Sequence, residues 1–300
     1  MSITLRRAHL WFLQNIGFKY LKAKSNFNVP YLVCLGDYFS QNPYFKPDCN
    51  SEEIITSVAW CMEKEQPVIF DIGAHCGYMS THFSALLKKN DPRIFSFEPV
   101  APTYSDLLHT IDKLQLQDNV FPVHAALSDS DDIVTLTYSK WLSMLAHVSS
   151  DNKKRTTQTG NKHIALATTV DKVASSLGVF PHLIKLDVEG YESFVLKGAH
   201  SVLHLADKPA ICIEWNPATL EQCGSSAKEL ASLLSGYELY YVNDYEFGKR
   251  EFLEKIDDIT LIPWVCNVFA LPPGTAVVEK WKANIEKIKD LYHITTYQKC

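Results

Sequence analysis

The chain has 300 residues, 46% of them hydrophobic and 21% charged, with a formal charge of -5. That suits a globular protein with a sizeable core and denies it the broad basic surface that non-specific nucleic-acid binding requires, so no nucleic-acid partner is expected. The eight cysteines form no C-x-x-C pair, which points to small buried thiols in a reducing, cytoplasmic setting rather than to a zinc or dithiol motif.

Residues 1–50 read as an N-terminal helix and an irregular lead-in. Arg6 and Arg7 precede Trp11-Phe12-Leu13, and Lys19, Lys22 and Lys24 follow. A signal peptide would need a cleaner apolar run and a cleavage site. Packing on the domain is the simpler expectation for this helix, and peripheral contact with a membrane surface is the alternative. A short strand is expected at 31–35.

A main domain is expected over 51–275. Ser51 reads as a helix cap, with Glu52 and Glu53 opposing the helix dipole. From Pro67 onward, short apolar runs alternate with helical patterns: strands at 68–70, 93–97 and 120–124, with helices after the first two. The middle departs from this rhythm. Strands are predicted at 133–138 and 164–169, with a polar loop at 149–162 between them. Asp171 then reads as a helix cap, followed by a strand at 183–186, a helix at 194–205, a strand at 210–213 and a helix at 220–234. Late strands at 237–242 and 265–271 form a pair of the hairpin type. Residues 276–300 hold a closing amphipathic helix with Val278, Trp281, Ile285, Ile288 and Tyr292 on one stripe. Repeated strand–helix units predict a doubly wound α/β domain around a parallel sheet.

The sharpest local feature is Asp71-Ile72-Gly73-Ala74-His75-Cys76-Gly77, between a strand and a helix. Gly73 and Gly77 allow a tight turn and close approach of a ligand at the carboxyl edge of the sheet. Glu98 ends the next strand, 27 residues after Asp71, where a carboxylate can accept hydrogen bonds from both hydroxyls of a ribose. The loop lacks the third glycine of the dinucleotide fingerprint. Ala126 and Ser128, in His124-Ala125-Ala126-Leu127-Ser128-Asp129, suit the edge of an adenine ring. Asp71, Gly73, Ala74, His75, Gly77, Glu98, Ala126 and Ser128 are therefore the candidate cofactor residues, His75 by position alone.

A second cluster sits further on. Asp187 ends a buried strand at the ligand edge, Glu189 begins the following turn, and Glu214 ends the neighbouring strand. These carboxylates can orient an acceptor or act as base, and Asp187 with Glu214 can also hold Mg2+. Lys185 shares the strand side of Asp187 and can pair with it, although a head reaching solvent is the commoner state of such a lysine. No histidine is assigned to metal or catalysis.

The stretch Leu183-Ile184-Lys185-Leu186-Asp187-Val188-Glu189-Gly190-Tyr191-Glu192, taken with Asp71-Ile72-Gly73-Ala74 and Phe97-Glu98-Pro99, closely resembles the FkbM family of methyltransferases. The likeness runs from about Leu35 to Leu271; Trp141-Leu142-Ser143-Met144-Leu145 departs from it. The resemblance implies a class I, Rossmann-like methyltransferase fold with a seven-stranded sheet whose last strand is antiparallel. It also implies S-adenosylmethionine as methyl donor and O-methylation of a sugar, glycan or small metabolite. Two alternatives stand beside it: an NAD-dependent oxidoreductase on a similar fold, and a non-catalytic adaptor that retains the fold.

Overall fold

The computed structural model describes residues 3–139, 142–148, 161–244 and 249–294. Its strands are β1 (Tyr20–Lys24), β2 (Pro30–Cys34), β3 (Val68–Ile72), β4 (Arg93–Phe97), β5 (Val120–Val123), β6 (Ala126–Leu127), β7 (Asp132–Ser139), β8 (Leu142–Val148), β9 (Asn161–Thr168), β10 (Leu183–Leu186), β11 (Ala210–Trp215), β12 (Glu238–Asp244), β13 (Lys255–Ile256) and β14 (Cys266–Leu271).

The main sheet has the order β13-β12-β14-β11-β10-β3-β4-β5. Strands β5, β4, β3, β10 and β11 are parallel, and β14 inserts antiparallel between β11 and β12. This is the class I methyltransferase arrangement with eight strands rather than seven. The extra member is β13, a two-residue edge strand laid antiparallel on β12.

Alternate residues of β3 explain the double winding, because successive side chains leave a strand on opposite faces. Phe70 and Ile72 join one core with Val195, Leu196 and Trp215. Ile69 joins the other with Ile55, Phe83 and Ile285. Helix Thr275–Tyr292 closes that second face over helix Ser51–Cys61. The Trp281 indole donates to the Thr56 carbonyl at 2.9 Å, and Val278, Trp281, Ile285 and Ile288 are buried.

A separate four-stranded sheet, β6-β9-β7-β8, accounts for the break in the alternating pattern. Strands β7 and β9 pair antiparallel over seven residues, from Asp132↔Ala167 to Tyr138↔Asn161. Of the loop predicted at 149–162, residues 149–160 lie outside the described residues, and Asn161 and Lys162 belong to β9. Helix Ile3–Asn15 and the β1–β2 hairpin form a layer of their own, with Leu10 buried against Tyr31, Val33 and Leu35. No described helix is long and apolar enough to cross a membrane.

Several boundaries differ from expectation for identifiable reasons. The helix predicted at 194–205 splits into Glu192–Lys197 and His200–Leu203. At the break, a Cβ on Gly198 would lie 1.9 Å from the Ser128 carbonyl oxygen, so close packing forces a glycine there. The helix predicted at 220–234 splits likewise into Pro217–Gln222 and Ala227–Leu233, with Gly224 at φ 87° between them. Asp171 does not cap its own helix. Thr169 does so, accepting from Lys172 N at 3.1 Å, while Asp171 reaches across to accept from Ser201 N (2.7 Å) and Val202 N (3.0 Å). Asn50, at φ 64°, rather than Ser51, holds the cap position of helix Ser51–Cys61.

Candidate active site

The sheet reverses its winding between β3 and β10, the switch point where open α/β sheets bind ligands. Gly73, Glu98 and Asp187 follow directly on β3, β4 and β10, and β11 carries Glu214 one residue before its end. The loop after β3 is fixed by its backbone: Gly73 N and Ala74 N both donate to the Phe97 carbonyl at 3.0 Å.

The loop glycines have a structural reason. Gly73 has φ 80°, and a Cβ there would sit 1.9 Å from the Asp187 carbonyl oxygen. Gly77 has φ 86°, and its Cβ would sit 2.7 Å from Leu107. The space beside each glycine is filled by this protein's own atoms. The tight turn expected of them is present, and these contacts account for glycine at both positions.

Glu98 is 6% exposed, and its two carboxylate oxygens accept from His75 N (3.1 Å) and Val100 N (2.8 Å). Burial pushes its carboxyl up to about 7, against the opposing pull of His75. Asp71 is fully buried beneath the loop, where it accepts from Ser80 Oγ at 2.5 Å, and Ser80 in turn meets Ser96 at 2.7 Å. Asp71 thus supports the loop from below. His75 Nε2 contacts Asp37 Oδ2 at 2.6 Å, tying the loop to the lead-in. Burial opposes charge on this imidazole, yet the Cys76 thiol and the Asp37 carboxylate hold its pKa well above the ordinary histidine value.

A cavity of about 330 Å3 opens beside this loop. It is lined by Gly73, Ala74 and His75 and, opposite them, by Lys185, Asp187, Glu189, Glu214, Asn216, Asn243 and Asn267. The three predicted carboxylates therefore meet at one cavity. Glu98, Ala126 and Ser128 do not line it. Ala126 and Ser128 are buried where the two sheets join, with Ala126 paired to Ala167 and Ser128 N donating to the Thr168 carbonyl at 2.8 Å.

Lys185 is 5% exposed rather than solvent-seeking. Its ammonium donates to Asp187 Oδ2 at 3.1 Å. Burial disfavours its charge, but Asp187, Asp71 and Glu53 together outweigh burial and raise its pKa above the usual lysine value. The other oxygen of Asp187, Oδ1, is buried with no hydrogen-bond partner among the described residues. An orphaned carboxylate oxygen at a cavity wall is a ready acceptor for a ligand's O–H or N–H.

Glu53, read from sequence only as a dipole partner, is a member of this site. It lines the cavity and accepts from Asn267 Nδ2 (3.0 Å) and Asn50 Nδ2 (3.1 Å), and burial pushes its carboxyl up to about 7. Glu189 stands at φ 55° in the turn after β10, and burial, then Asp187 and Glu192, push its carboxyl up to about 8. Glu192, also missed, staples that turn by accepting from Val188 N (3.0 Å) and Gly190 N (3.2 Å). Its signal lay in the quoted motif, as a glutamate two residues after a glycine. Sequence reading also passed over the H-x-x-x-H spacing of His200 and His204. Their rings stack with centroids 4.4 Å apart, well away from the residues of this cavity.

The residues fit a nucleoside methyl donor better than a divalent ion. For the donor, Glu98 retains lone pairs for ribose hydroxyls, and Gly73, Ala74 and His75 of the loop line the cavity. For Mg2+, no group of three or more Asp, Glu, His or Cys among the described residues is placed to hold an ion. One oxygen of Asp187, to which Mg2+ could also have been assigned, is already paired with the Lys185 ammonium at 3.1 Å.

Comparison with known proteins accords with this layout. The model of the methyltransferase FkbM domain matches residues 71–245. The hexuronic acid methyltransferase AglP of Haloferax volcanii is 24% identical over 211 residues, covering 68% of this chain and 79% of that protein. Among solved structures, the methyltransferase FkbM of Methylobacillus flagellatus is 15% identical with a TM-score of 0.42. The match covers 69% of this chain but only 43% of that one. The precorrin-6y C5,15-methyltransferase of Geobacter metallireducens is 14% identical with a TM-score of 0.41, over 74% and 87% of the two chains. With its matched region spanning more than half of the sequence, from Asp71 through Glu98 to the Asp187-Val188-Glu189-Gly190 turn and β12, this chain belongs to the FkbM methyltransferase family.

Proposed function

We propose that this protein transfers a methyl group from S-adenosylmethionine to a hydroxyl of a sugar, glycan or similar polyhydroxylated metabolite. The observation that carries the reading is Asp187, which lines a polar cavity beside the glycine loop and keeps one buried carboxylate oxygen, Oδ1, without a partner among the described residues. S-adenosylmethionine would supply a methyl group on a positively charged sulfur: the hydroxyl oxygen bonds to the methyl carbon as the carbon–sulfur bond breaks, a neutral thioether leaves, and the hydroxyl proton passes to the protein.

The protein's share of this reaction is positioning and proton management. Asp187 Oδ1 accepts a hydrogen bond from the acceptor hydroxyl, and Lys185 fixes the carboxylate through its other oxygen. Glu189, whose carboxyl is raised to about 8 chiefly by burial, takes the proton. Glu214 and the carboxamides of Asn216, Asn243 and Asn267 orient the neighbouring hydroxyls, a donor and acceptor set suited to a polyol. Glu98 and the loop backbone hold the donor's adenosyl half. The hexuronic acid methyltransferase among the relatives supports a sugar acceptor without naming this one.

Membership of a methyltransferase family leaves the nicotinamide alternative without support. The adaptor alternative is separated by assay. Calorimetry with S-adenosylmethionine, followed by mass spectrometry of a sugar and glycan panel, should give binding and a 14-dalton gain on oxygen (about one CH2). A folded sample that fails to bind the donor at millimolar concentration, or that methylates only nitrogen, would refute the reading.

A further inference from the structure

The first 36 residues contain five basic side chains, Arg6, Arg7, Lys19, Lys22 and Lys24, and no acidic one. That leaves 24 basic against 34 acidic residues in the remainder. This basic segment is the helix Ile3–Asn15 and the β1–β2 hairpin, and it precedes the region matched by the family. Its seat is well defined. Leu10 packs on Tyr31, Val33 and Leu35, Gln14 donates to the Leu35 carbonyl, and Arg6 donates to the Tyr44 carbonyl.

The opposite side of the helix is not what a solvent-facing surface ordinarily offers. Trp11 is 67% exposed and Phe12 55%, and Leu5 is exposed on the same side; Ile3, in line with Leu10, and Ile16 and Phe18, beyond the helix, are exposed as well. Arg7, Lys19, Lys22 and Lys24 are exposed on the same segment. Large apolar side chains exposed together on one short segment mark an interaction surface. Apolar and aromatic residues interleaved with cations match the boundary between acyl chains and anionic headgroups.

We propose that this face docks peripherally on an anionic lipid surface, with Trp11, Phe12 and Phe18 at the acyl boundary and Arg7 and Lys19 among the headgroups. The charge division sets the orientation, since the acidic remainder is repelled by the same surface that attracts the first 36 residues. Aliphatic Ile3, Leu5 and Ile16 favour a bilayer over a nucleic acid, which would reward stacking rings and cations but not aliphatic side chains. Residues 39–43, directly after the hairpin, supply one wall of the cavity, so docking would hold that wall at the membrane side of the protein.

The test is co-sedimentation of the full chain with phosphatidylcholine vesicles carrying either no charge or about one-third phosphatidylserine, at low and high salt. Binding to the anionic vesicles alone is expected, weakening as salt rises. Trp11→Ser combined with Phe12→Ser should reduce it at least tenfold, because both rings leave the apolar phase. Both side chains are exposed, so the melting temperature and donor binding of this variant should match the parent. Failure to bind anionic vesicles at low salt would overturn the proposal. So would binding unaffected by the double substitution. Two other outcomes would also overturn it: a preference for an RNA oligonucleotide over vesicles, or a concentration-dependent dimer abolished by the same substitutions.

Discussion

Replacing Lys185 by Met should reveal how the carboxylate cluster is held together. The ammonium is buried, 3.1 Å from Asp187, and Asp71 and Glu53 also act on it. Its removal leaves three carboxyl groups in a low-dielectric pocket without their cation, and breaking a buried pair in this way costs about 3–5 kcal/mol. The cost should depend on pH, and the sign can be worked out. Glu53 in the folded protein titrates at about 7 against 4.5 for a free glutamate, and Asp71 is also raised, in each case chiefly by burial. A carboxyl with a raised folded pKa binds more protons folded than unfolded, so stability falls as pH climbs from the unfolded value through the folded one. Lys185 opposes that rise, so without it the folded values move higher still. Urea unfolding of parent and Lys185→Met at pH 5.5 and 8.5 measures the difference. The penalty should be larger at pH 8.5 than at pH 5.5. An equal penalty at both pH values would refute the claim that Lys185 neutralises this cluster.

Asp187→Asn preserves shape but replaces the carboxylate with a carboxamide; turnover should fall about 10²–10⁴-fold while donor affinity stays within about threefold, as judged by single-turnover rates beside calorimetry. Glu98→Gln should weaken donor binding about tenfold or more through the ribose contacts; equal loss of donor binding in the Asp187 variant would show the two roles to be wrongly divided. Gly73→Ala must accommodate a Cβ 1.9 Å from a carbonyl oxygen at φ 80°, so calorimetry should show a melting temperature lower by several degrees, at roughly 2–4 °C per kcal/mol. If Glu189 is the base, it works only when ionised, so kcat/KM should rise with pH through about 8 and Glu189→Gln should flatten that limb; a profile unchanged in the variant would move the proton to another group.

The parts of this fold legible in the sequence are those where local pattern and global packing agree. The apolar runs around Ile69, Ile94, Ile184 and Ile211 read as buried strands because both faces of the parallel sheet are covered. The antiparallel place of β14 came from family resemblance, since periodicity carries no information about strand direction. Helix ends were misread where tertiary contacts decide them. Gly198 breaks a helix because Ser128 presses on it, and Asp171 is spent on the neighbouring helix's amides rather than on its own.

The same limit applies to the site. Asp187, Glu189 and Glu214 were readable from strand ends, and the cavity gathers all three. Glu53 was not, because an acid in the first turn of a helix has a sufficient local explanation. Only the antiparallel strand bringing Asn267 to within 3.0 Å reveals that this carboxylate faces inward. For Lys185, statistics favoured a solvent-reaching head, whereas three surrounding carboxylates make burial tolerable.

The short link between His75 and Asp37 has a bearing on how this protein can be divided. The region shared with its relatives starts at Asp71, yet the turn that would cradle the donor is anchored to a carboxylate some thirty residues before that boundary. A fragment trimmed to the shared region would strand a half-buried imidazole without its counter-ion. The leading segment is thereby a working component of the glycine turn, and shortening the chain to a minimal core should loosen the turn before it unfolds the sheet.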